Sequence, residues 1–217
     1  MEQNAIVKTY RWVVFALAAF FCAYTIVVSN WAAPGGSFRY LTVWALFMST
    51  FVAVRMLMVS YEMSDRRFDG FVSATAVINA MVVFLFWRLY FEDASSVTKD
   101  GTLEAWWREF YMHGLGAVLM WLDALFLNRV FRRIGLGLVW LLGTIVVYLT
   151  WSEQFIGRFN DVPVGTVTSG LPYPFLNDLE FPQRMEFYVT NVIVALVVFT
   201  IFCAFAFVLR RMGIRRD

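Results

Sequence analysis

Residues 37–56 read SFRYLTVWALFMSTFVAVRM. From Leu41 to Val54 there is no charge, and the length approaches the ~20 residues that a helix needs to cross a bilayer. The stretch nevertheless opens with Arg39, Tyr40 and Thr42 and carries Arg55 near its other end. A polar group in lipid is either bonded locally or belongs to a site. What decides is what the other segments place at the same depths.

Five further runs resemble it. The expected spans are Trp12–Ser29, Tyr40–Val59, Phe68–Tyr90, Phe110–Asn128, Gly135–Trp151 and Glu186–Leu209. The chain of 217 residues is 60% hydrophobic and 19% aromatic. A soluble domain is nearer 45–50% apolar, so lipid must cover the excess. We therefore expect a single all-α domain over residues 1–217: a polytopic membrane protein built as a six-helix transmembrane bundle. The first run follows Lys8 and Arg11 and is too long for a signal peptide core of roughly 7–15 residues, so it reads as a retained helix. A net charge of +2 does not suggest a nucleic-acid partner. Cys22 and Cys203 fall inside apolar runs and read as small core residues, and a lone histidine, His113, excludes His-rich metal sites and a paired haem ligation.

Basic residues set the expected orientation. Lys8 and Arg11, Arg66 and Arg67, Arg129, Arg132 and Arg133, and Arg210, Arg211, Arg215 and Arg216 fall on one side of a six-span topology. The other side holds only Arg39, Lys99, Arg108, Arg158 and Arg184, spread over longer loops. Positive residues collect on the cytoplasmic side, so both termini are expected there. The long segment Ser152–Met185 carries four of the five prolines and the stretch SGLPYPFLN, which suits a stiff aromatic lid or a membrane-surface element. Thr102 is a possible early cap for the fourth helix, with Trp106 and Trp107 at the headgroups.

In this topology the second and fourth helices run the same way, so Thr42 and His113 share one level near the non-cytoplasmic surface. A hydroxyl beside an imidazole forms a nucleophile and its base. The alternative is that each bonds a neighbour on its own helix. Ser37 is a plausible N-cap, and the helix start around Ser37–Tyr40 offers donors for an oxyanion. Glu109 stands one turn from His113 and is placed to orient it. Arg55 and Asp123 lie ~20 and ~15 Å deeper at a rise of ~1.5 Å per residue. They read as a buried ion pair between the second and fourth helices, with a gate in a transport path as the alternative.

The runs GGSFRYLTVW and HGLGAVLMWLDALF, and YPFLN followed by a final helix, resemble the androgen-induced gene 1 family over most of the chain. The family comprises multi-pass intramembrane hydrolases that cleave fatty acid esters of hydroxy fatty acids with a threonine and a histidine. The resemblance implies that Thr42 is the nucleophile and His113 the base, with no cofactor. The expected partners are a lipid ester substrate and membrane lipids, with acyl chains among residues such as Phe47, Met48, Phe84, Met120 and Trp121. A bacterial inner membrane, the endoplasmic reticulum or a plasma membrane fits this reading. The competing reading is a non-catalytic lipid-binding or transport protein.

Overall fold

The computed structural model describes residues 5–98, 101–103, 105–162 and 169–212. Lys99, Pro163, Arg215 and Arg216, which entered the charge and loop arguments above, lie outside these residues. Among the described residues, six helices are long and apolar enough to span a membrane: α1 Ala5–Val28, α2 Leu41–Ser60, α3 Asp69–Glu92, α4 Trp106–Leu127, α5 Ile134–Phe159 and α6 Phe181–Arg211. The protein is thus an all-helical, integral multi-pass membrane protein.

Lys8 of α1 lies over the Tyr61 ring after α2, and Arg210 of α6 donates to the Phe131 carbonyl between α4 and α5. With Arg11 of α1 bound to Ser60 of α2 and Asp123 of α4, these contacts gather the start of α1 and the end of α6 at one end of the bundle, the terminal end. At the opposite, far end, Trp151 of α5 donates to the Phe38 carbonyl before α2.

The spans run past several of the expected limits. α1 begins at Ala5, not at Trp12, because Arg11 is buried and paired and so does not stop the helix. α5 continues from Trp151 to Phe159 because Glu153 is bound by Arg184 and Tyr188 of α6. α6 starts at Phe181 through a capping box: Glu180 accepts from the Gln183 amide, Gln183 accepts from the Glu180 amide, and Pro182 occupies the first turn. The expected Ser152–Met185 loop is therefore only the connector 160–180. Thr102 does not cap α4, which starts at Trp106 after Ala105.

α3 is the central helix, two-thirds buried, whereas α5 and α6 bury about a fifth of their length and face lipid. Lipid supplies no hydrophobic drive between helices, so close backbone approach and dispersion must hold the bundle. α3 meets this need with Gly70, Ser73, Ala74 and Ala76. A Cβ on Gly70 would lie 3.0 Å from the Leu136 backbone of α5, so only glycine fits there. Val72, Val77, Ile78, Leu141 and Phe131 complete the core. Hydroxyls that lack a partner helix bond the carbonyl four residues back, as Thr75, Thr144 and Thr200 do.

Candidate active site

The middle of α4 departs from α-geometry. Residues Tyr111–Leu115 form a π-helical turn, and His113 within it has φ −117° and ψ 22°. The wide turn frees the His113 carbonyl, and the Trp87 indole of α3 donates to it at 2.8 Å. The imidazole lies flat on Phe86, with ring centroids 3.6 Å apart and planes 4° from parallel. Its Nε2 is 3.2 Å from the Glu109 carboxylate one turn away. Its buried Nδ1 has no partner among the described residues. The imidazole is thus fixed on one edge and one face, with one nitrogen free to take a proton.

Thr42 sits in the first turn of α2, half-buried. It lines a cavity with Ser49 of α2, Asn79 of α3, and Tyr111, Met112 and Gly116 of α4. Thr42 and the turn that carries His113 thus border the same space. Among the described residues, no hydrogen bond joins the two side chains. Asn79 donates to Ser49 at 2.9 Å and to the Thr75 carbonyl at 2.8 Å, so the polar groups across from Thr42 are held in place.

The start of α2 differs from expectation. Ser37 is not its N-cap: it lies in a 3-10 turn, Gly36–Arg39, and both its amide and its hydroxyl bond the Ser29 hydroxyl. Tyr40 precedes the helix, and its side chain makes no cap. The amides of Ser37, Phe38 and Tyr40 go to Ser29, Gly35 and Ser37, so these three are already used and are not free for an oxyanion. A 3-10 turn uses its own amides, and sequence gave no sign of it beyond the two glycines before Ser37.

Arg39, counted among the loop charges of the non-cytoplasmic side, is fully buried. It wraps its own loop, donating to the Gly36 and Pro34 carbonyls, and burial lowers its pKa. Burial likewise raises the pKa of the Tyr40 and Tyr173 phenols, whose rings pack edge to face at 5.9 Å. The SGLPYPFLN stretch therefore folds onto the far end of the bundle. Leu171, Pro172 and Leu176 are buried there, and Asn177 accepts from the Leu171 amide at 2.7 Å. The Tyr148 hydroxyl donates to the Arg39 carbonyl, and the Trp44 and Trp151 indoles both donate to that of Phe38. These aromatic residues were not singled out in the sequence. Their signal was an aromatic ring with a polar tip at the end of a span.

At the deeper level the expected pair does not form. Asp123 is bound by Arg11 of α1, at 2.8 Å from Nε and 3.2 Å from Nη2. Arg11 also donates to the Ser60 hydroxyl and the Met56 carbonyl of α2. Arg55 instead reaches Ser64 at 2.6 Å and the Arg66 carbonyl at 3.0 Å, beside the Phe68 ring. Depth alone could not separate the two arginines, because it does not say which way a side chain points around its helix. Of the residues expected beside acyl chains, Met120 lines a cavity, whereas Phe84 faces outward.

Comparison with known proteins returned no curated protein and no solved structure that matches the chain. A family model described as FAR-17a/AIG1-like protein matches residues 6–206, from the first spanning helix into the last. The family is the one whose motifs were read around Thr42 and His113, and the chain belongs to it.

Proposed function

We propose that the protein is an intramembrane hydrolase of lipid esters, such as fatty acid esters of hydroxy fatty acids, with Thr42 as nucleophile and His113 as base. The observation that carries this reading is the free Nδ1 of a histidine whose Nε2 is held by Glu109, in the helical turn that borders the Thr42 cavity. Glu109 accepts from Nε2–H and thereby keeps Nδ1 unprotonated. Nδ1 takes the Thr42 proton as the hydroxyl oxygen attacks the ester carbonyl. The tetrahedral intermediate collapses, and His113 returns the proton to the departing alkoxide, which leaves as the hydroxy acid. Water, deprotonated by His113, then attacks the acyl-threonine and releases the fatty acid. The two side chains close to hydrogen-bond reach when substrate enters, since such contacts are often loose in the free enzyme. The basic clusters put both termini in the cytoplasm and this site towards the other side.

A second reading has its own support. Flat stacking on Phe86 and the lack of a Thr42–His113 bond suit a structural histidine in a non-catalytic lipid-binding protein. A fluorophosphonate probe separates the two readings. Labelling of the native protein that is lost in Thr42→Ala and His113→Gln, at unchanged thermal stability, supports the enzyme. Labelling that survives Thr42→Ala removes threonine as the nucleophile.

A further inference from the structure

The Thr42 cavity has a neighbour. A second cavity is lined by Val14 and Ala18 of α1, Val52, Ala53 and Met56 of α2, and Met120 of α4. The two share Ser49, Tyr111 and Gly116 as a common wall. Together they follow one face of α2 from Thr42 to Met56, fourteen residues, or ~21 Å at ~1.5 Å per residue. Each cavity is narrow, about 20 Å³, so a chain enters as the lining side chains yield, and the helices keep that lining small with alanine and glycine. Ala18, Ala45 and Ala53 are buried, and a Cβ on Gly116 would already lie 3.0 Å from the Tyr111 carbonyl. The lower cavity ends on Arg11 and Asp123.

We propose that the two cavities form one slot for the acyl chain of an ester whose carbonyl stands at Thr42, and that the Arg11–Asp123 pair is the floor that limits chain length. This inference rests on the ester-hydrolase reading. The chemistry changes down the slot in the order that an acyl ester needs. Hydroxyl and amide groups line the mouth, where the ester lies, and aliphatic groups line the depth, where the chain lies. Ser49 accepts from Asn79, so this polar contact at the mouth is already made when a chain passes. Met56 and Met120 supply unbranched, adaptable walls that can yield to a chain.

The floor is closed by its own hydrogen bonds. Arg11 spends Nε and Nη2 on Asp123 and Nη1 on Ser60 and Met56, so a methyl end entering there would have to break charge-assisted bonds. A file of water suits the lower cavity poorly. Water needs two to four polar partners, and below Ser49 most of the lining is aliphatic.

The test is a series of 4-methylumbelliferyl esters from butyryl to stearoyl, turned over by protein in nanodiscs. The readout is the ratio of palmitoyl to butyryl turnover, which does not depend on how much protein is folded. Ala53→Phe fills the lower cavity and should lower this ratio at least tenfold. Met120→Ala widens it and should raise the ratio. Val54→Phe, on the lipid-exposed side of the same turn, should leave the ratio as it is. An unchanged ratio in both slot variants overturns the proposal, as does accumulation of acylated Thr42 in Ala53→Phe at an unchanged ratio, which would assign the cavity to water.

A second arm needs no turnover. A palmitoyl ester with a terminal diazirine, photolysed on the native protein, should crosslink to the segments holding Ala53, Met56 or Met120. Crosslinks confined to lipid-facing positions such as Phe51 and Val54 overturn the slot. Crosslinks in the slot of a protein that hydrolyses no ester would leave the slot standing and remove the hydrolase.

Discussion

Two buried pairs of ionisable groups sit at opposite levels of this bundle, and they are completed to different degrees. At the terminal end, Arg11 and Asp123 lie 2.8 Å apart with nearly all of both side chains buried, and Ser60 and the Met56 carbonyl take up further donors of the arginine. Nearer the far end, Glu109 holds one nitrogen of His113 and the other is left without a partner among the described residues. A pair whose donors are used ties helices together. A pair with a free basic nitrogen beside a cavity is poised to accept something. The same residue classes thus serve cohesion at one depth and, on our reading, chemistry at the other.

The sharpest way to break this contrast is to remove the chemistry without touching the fold. Thr42→Ala and His113→Gln should each lower long-chain ester turnover at least ~10³-fold, in line with the loss of a nucleophile or its base. Thermal unfolding in detergent should be unchanged. Retained turnover in His113→Gln would make both pairs structural. The converse change is Asp123→Leu, which strands the Arg11 guanidinium. It should destabilise by about 3–5 kcal/mol, the usual range for a broken buried pair. The double variant Arg11→Met, Asp123→Leu should regain most of that, read by denaturant unfolding. A double variant no better than the single one would mean that the pair does more than neutralise itself.

Glu109→Gln sharpens the other side. It keeps the size of the side chain but loses the anionic acceptor for Nε2–H. A roughly 10²-fold fall in kcat with little change in KM is expected, at the lower end of what acid–base positioning contributes. An effect on stability alone would put Glu109 in the structural class. The smallest effect should come from Arg55→Met. Its bonds to Ser64 and the Arg66 carbonyl lie at the half-exposed terminal end, and their loss should cost about 1 kcal/mol, as for exposed charged contacts.

Six apolar runs of spanning length, interrupted by basic and proline-containing segments, make the helix count legible in the sequence. Their ends were less so, for identifiable reasons. Arg11 and Glu153 read as boundary charges but are neutralised inside the bundle by residues more than thirty positions away. The cap at Glu180–Gln183 has glutamate where the usual signature has Ser, Thr, Asp or Asn, so the start of α6 was not legible as a motif. At the site, the four-residue spacing of Glu109 and His113 was visible because it is local to one helix. The partner of Asp123 was not, because it depends on how α1 is rotated against α4. Arg39 shows the same limit: its burial depends on how the loop before α2 closes, which the sequence beside PGG does not specify.

The π-helical turn at Tyr111–Leu115 has one more consequence. In a regular α-helix, residues five apart stand about 140° from each other around the axis, at 3.6 residues per turn. Here Tyr111 and Gly116 both border the same two cavities. Two further wide turns follow, Asp123–Leu127 in α4 and Trp151–Ile156 in α5, and both terminal residues of the latter close on Gly35 at the far end. Each turn acts as a phase shifter that re-aims everything beyond it by one residue's worth of rotation, about 100°. In α4 the portion carrying Glu109 and the portion carrying Asp123 are thereby indexed to different neighbours on either side of the kink at His113. Deleting one residue between Tyr111 and Gly116 would restore regular pitch and swing Asp123 away from Arg11 while leaving every side chain of the pair intact. A shortened chain of that kind would keep its composition and its hydropathy, and lose its alignment.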